Sequence, residues 1–142
     1  MPMSVQVLQD HNLLILKATG LLTVKDIRTA FETYATHPQA RPGQHIINDL
    51  SRLTEAQIDY DRRLQLQTTM EPILALNTAP RTYVMYAPTK QSRDLAETLT
   101  RGYWASTPGI TMALVETEAQ ALQLLDLPYD SFADLTSVTA TS

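Results

Sequence analysis

The sequence predicts an α/β domain: a mixed, mostly parallel five-stranded sheet that opens with an antiparallel hairpin and carries about four helices. Three observations predict it. Strand-like apolar runs alternate with stretches of helical periodicity. The first two runs are split only by the turn signal Asp10-His11-Asn12, which makes a hairpin. The later runs are close to continuously apolar, as strands buried on both faces are.

The elements come in this order. Ser4–Gln9 and Leu13–Ala18 read as the hairpin strands, with Gly20 ending the second. Thr23 is a helix cap with Asp26 in the first turn, and Ile27, Ala30, Phe31 and Tyr34 recur on one face. Pro38 and Arg41-Pro42-Gly43 stop that helix. His45–Leu50 reads as the third strand. Thr54-Glu55-Ala56-Gln57 has the form of a capping box, so a second helix is expected from Thr54, with a kink near Glu71 imposed by Pro72. Arg81–Ala87 is the clearest strand, closed by Pro88. Leu95, Leu99 and Tyr103 form the row of a third helix. After the Pro108-Gly109 turn comes the strand Ile110–Val115. Thr117 to Gln120 is a second capping box opening a short fourth helix, which Pro128 ends. Residues 1–127 thus read as one domain. Residues 128–142 read as a partly disordered tail with one turn between Asp130 and Leu135.

Composition narrows the function classes. The chain of 142 residues has no cysteine, which removes disulfides, thiol catalysis and thiolate metal sites. A net charge of −4 gives no broad field for nucleic acid or an anionic membrane. The only basic spots are Arg62-Arg63 and Lys90 to Arg93. No apolar run approaches the roughly 20 residues of a membrane span, and Met1–Asp10 lacks the pattern of a signal peptide, so a cytoplasmic protein is expected.

The order, spacing and length of these elements resemble the STAS fold of anti-sigma-factor antagonists and their SpoIIAA-like relatives, also described as STAS/Sec14-like. Leu16–Thr23, Asn48–Thr54 (with Asp49-Leu50-Ser51) and Val84-Met85-Tyr86-Ala87-Pro88 carry the likeness, over roughly the first 126 residues. The sigma-regulatory members hold a phosphorylatable serine in an Asp-Ser-Ser/Ala-Gly segment at the start of their second helix. This chain has Gln57-Ile58-Asp59-Tyr60 there, with neither serine nor glycine. The resemblance therefore implies a fold and a regulatory or protein-interaction role, without phospho-switching. Its Sec14 side implies an alternative, a carrier or sensor of a small apolar or amphipathic ligand.

Ligands of open parallel sheets lie beyond the carboxyl ends of the strands. That rule nominates Asp49, Ser51, Thr89, Lys90 and Ser92 as ligand- or anion-contact candidates, since a helix beginning near Thr89 offers free N–H groups. Plain N-capping with a solvated lysine is the preferred explanation of Thr89, Lys90 and Ser92, since any αβ unit presents a helix N-terminus this way. His45, Asp49 and Ser51 have the residue types of a hydrolase triad. Strand residues two apart are separated by about 6.6–7 Å along the chain, too far for its contacts. No Gly-x-Ser-x-Gly, P-loop or dinucleotide fingerprint occurs. His11, His37 and His45 have no ligand spacing, so neither a metal nor a cofactor is expected. Met70, Ile73 and Trp104 are candidates for a self-association surface, against the alternative of ordinary core packing. The expectation is a non-enzymatic module, homodimeric, with an unidentified protein partner and no catalytic residue.

Overall fold

The structure is a computed structural model and describes residues 3–57, 61, 65, 80–100 and 109–140. Its sheet is five-stranded and mixed. The strands are β1 (Met3–Leu8), β2 (Leu13–Thr23), β3 (His45–Gln57), β4 (Arg81–Tyr86) and β5 (Ile110–Val115), and they lie in that order. β1 pairs with β2 antiparallel, and every later pair is parallel. Four helices are described: α1 (Val24–Ala35), α2 (Lys90–Thr100), α3 (Glu118–Leu124) and α4 (Phe132–Ala140).

Local chemistry explains the helix starts. Thr23 accepts from the Asp26 N–H at 3.3 Å while the Asp26 carboxylate accepts from the Thr23 N–H at 2.9 Å, a complete capping box. Thr117 and Gln120 form another at α3. We expect Thr23→Ala to lower unfolding free energy by about 0.5–2 kcal/mol in urea denaturation. An unchanged midpoint would mean that tertiary packing alone sets where α1 begins. At the end of α3, Asp126 adopts φ 56°, and Leu127 donates back to the Leu122 carbonyl at 2.9 Å. This is the left-handed helix stop.

The two sheet faces are covered differently. Right-handed crossovers between successive neighbouring strands put their helices on one side. There α1 (Ile27, Ala30, Phe31) and α2 (Leu95, Ala96) pack on Leu14, Leu16, Ile46, Tyr83 and Met85. The other face is covered by the two helices beyond β5. Ala121 and Leu122 of α3 and Leu135 of α4 are wholly buried, with Leu13, Ile15, Ile47, Val84 and Val115 beneath them.

Two expectations need correction. The Thr54–Gln57 capping box does not form: these residues continue β3, paired with β2 as far as Thr23↔Gln57. Leu53 is buried while Thr54, Glu55 and Gln57 are exposed. A local cap signal competes here with a long parallel partner that satisfies the backbone, and the partner wins. The single turn expected between Asp130 and Leu135 is instead the start of α4, anchored by Leu135. Of the rest of the expected second helix only Asp61 and Gln65 are described, and both are helical; Pro72 lies outside the described residues.

Candidate functional site

The second sheet face changes character from one row to the next. One row runs Gln6, Ile15, Ile47, Val84, Ala113 across the five strands and is apolar from β2 onward. The next row toward the carboxyl ends of the parallel strands runs Ser4, Lys17, Asp49, Tyr86, Val115. Lys17, Asp49 and Tyr86 are therefore direct cross-strand neighbours, on strands about 4.8 Å apart. Above that row the packing opens into a cavity of about 410 Å³. Ser4, Gln6, Ile15, Lys17, Asp49 and Tyr86 of these rows form its sheet side, and Glu118 of α3 with Phe132, Ala133 and Thr136 of α4 form its other side.

A register slip shapes the rim. Lys17 faces Asp49 but Thr19 faces Arg52, so β3 carries one residue more than β2 here. An extra residue bends a strand and re-aims its side chains. Consecutive residues Ser51 and Arg52 consequently both line the cavity. The irregularity is held by Asp49, whose Oδ1 accepts from the Ser51 N–H at 3.0 Å and from Ser51 Oγ at 2.7 Å. The sequence-based distance between these two side chains assumed a regular strand, and the extra residue is why they touch.

The polar groups of this cavity are of both signs. Asp49 is only 5% exposed, while Lys17 and Arg52 are exposed at the rim. Glu118 spends Oε1 on the Phe132 N–H at 2.8 Å, which caps α4. The Tyr86 ring stands edge-on to Phe132 with centroids 5.4 Å apart. Its hydroxyl pKa is raised, first by burial and then by the negative charges of Glu118 and Asp49. At neutral pH Tyr86 is thus a neutral donor and acceptor. It is a poor general base.

The other nominated residues lie elsewhere. Thr89 and Ser92 cap α2 and satisfy each other: the Thr89 N–H donates to Ser92 Oγ at 2.9 Å and the Ser92 N–H to Thr89 Oγ1 at 3.1 Å. Ser92 is wholly buried, Lys90 is exposed, and none of the three lines the cavity. His45 Nδ1 accepts from the Thr82 N–H at 2.9 Å, so the imidazole ties β3 to β4. Met70, Ile73 and Trp104 fall outside the described residues. Among the described residues, no group of three His, Asp or Glu side chains could hold a metal ion, and no helix is long and apolar enough to cross a membrane. Lys17, Tyr86 and Glu118 escaped sequence reasoning. Lys17 is the one charge within Leu13–Ala18, but only the register puts it beside Asp49.

On the opposite face Asn48 Nδ2 donates to the Tyr83 hydroxyl at 3.0 Å. Burial pushes the Tyr83 pKa up to about 12, and the Asn48 hydrogen bond offsets this in part. The unfolded phenol titrates near 10. The stabilisation that Tyr83 contributes is thus fully present below about pH 10 and falls by about 1.4 kcal/mol per pH unit from there toward 12. Phenolate absorbance should show at least one tyrosine still protonated after the exposed ones ionise, and Tyr83→Phe should flatten that part of the stability profile.

Comparison with known proteins agrees on architecture. No protein-family model matches the chain, and no curated protein matches it by sequence. Among solved structures it is similar to an uncharacterised DUF3478-family protein with a SpoIIAA-like fold from Shewanella loihica, at TM-score 0.55 and 18% identity, covering 87% of this chain and 91% of that one. It also matches the anti-sigma factor antagonist SpoIIAA in its unphosphorylated form, at TM-score 0.47 and 14% identity, covering 87% and 97%. The fold is STAS/SpoIIAA-like, as the order of elements implied. The likeness establishes architecture alone.

Proposed function

We propose that this chain is a non-enzymatic regulatory or interaction module of the STAS/SpoIIAA-like type, without the phosphorylatable serine of the sigma-regulatory members, which acts by recognition as a cytoplasmic homodimer. The observation that carries this reading is the commitment of Ser51. Its hydroxyl donates to Asp49 at 2.7 Å, and no histidine is among the residues lining its cavity. A serine nucleophile needs a base that takes its proton and is itself held in place.

The cavity favours a second reading, in which the module senses a small ligand. Its polar row above an apolar one suits an amphipathic molecule rather than a purely apolar one. Intact-mass measurement after incubation with activated esters and with acetyl phosphate tests the main reading. No mass gain on Ser51 is expected, and a stoichiometric acyl or phosphoryl adduct there would overturn it. Native mass spectrometry of the same sample should show a dimer.

A further inference from the structure

We propose that the cavity between the sheet and α4 binds a small zwitterion of the α-amino-acid class, its ammonium held by Asp49, Tyr86 and Glu118 and its carboxylate by Lys17 and Arg52. This rests on the non-enzymatic reading above and names the ligand of the same site. Five polar groups of complementary kinds converge on one opening. Lys17 and Arg52 make no ion pair with any described residue, although Lys17 sits beside Asp49 across the strands. The bonds that Asp49 and Glu118 make use Oδ1 and Oε1, which leaves Oδ2 and Oε2 to face a ligand.

The two signs are also sorted in space. Asp49 on β3 is the cross-strand neighbour of Tyr86 on β4, and Glu118 reaches the same cavity from α3, so the carboxylates border its β3, β4 and α3 walls. The cations come from β2 and from β3 beyond its extra residue, so the rim there is the positive pole. A simple anion would meet Asp49, and a simple amine would meet Lys17 and Arg52. A molecule carrying both charges on neighbouring atoms satisfies all of them. Its side chain would rest on Ile15 and Phe132, the apolar part of the lining.

The test uses the full chain, isotope-labelled for NMR and titrated with the common α-amino acids. Each is paired with its decarboxylated amine and its deaminated acid. At least one amino acid should shift the signals of cavity residues, with both analogues about tenfold weaker or worse. Lys17→Gln and Glu118→Gln should each weaken binding about tenfold while circular dichroism stays unchanged, since Lys17 is exposed and glutamine keeps the acceptor for the Phe132 N–H. Absence of binding by every amino acid, equal binding of an analogue, or indifference to both substitutions would overturn the site. Conversion of the bound amino acid to product would instead overturn the non-enzymatic reading and leave the site standing.

Discussion

Leu135→Ala should cost about 2–5 kcal/mol of unfolding free energy, the range for removing a buried leucine that its surroundings cannot collapse around. Leu135 is wholly buried on α4, packed in one cluster with Leu8, Leu13, Ile15, Ile47 and Leu122. It is the only fully buried residue of α4 whose side chain is described, and the partly buried Phe132 packs against the same cluster. Urea denaturation gives the number. A loss below about 0.5 kcal/mol, the scale of a surface change, would mean that α4 does not pack on the sheet. Because Phe132, Ala133 and Thr136 line the cavity, the same variant should also expose Tyr86.

The second large effect is expected at Asp49. Its Oδ1 holds the Ser51 N–H and Oγ at the point where β3 gains a residue on β2. Asp49→Ala strips both donors of their partner and should destabilise the fold by about 1–3 kcal/mol. Ser51→Ala removes one bond and leaves the N–H contact, so its cost should be about 1 kcal/mol. If the two variants melt together, the carboxylate does not hold the irregular strand.

Most of the architecture was legible because each element announces itself locally. Thr23 with Asp26 and Thr117 with Gln120 are complete signals within four residues, and both caps form. The apolar runs at 81–86 and 110–115 could hardly be anything but strands. Thr54–Gln57 carries the same local signal and is strand, because its fate depends on Leu21, Leu22 and Thr23 across the sheet. The site suffered most from this dependence on distant partners. Asp49 and Ser51 could be nominated from strand polarity, since the rule for open sheets needs only the chain direction. Lys17, Tyr86 and Glu118 could not, because three separate registers and the return of α4 bring them to one cavity. Thr89, Lys90 and Ser92 satisfied the same rule but belong to a helix that packs on the other face.

The unequal covering of the sheet has a consequence for synthesis. As the chain leaves the ribosome, α1 can settle on β1 and β2 almost at once, so one side of the nascent sheet is shielded early. Leu13 and Ile15 on the opposite side meet their cover only when Leu122 and Leu135 have been made. Through all that interval the growing sheet has a bare apolar surface. Such transiently exposed surface is where chains associate wrongly and where chaperones engage. Premature release before α4 should therefore yield a sticky, protease-sensitive product, although every strand is already present.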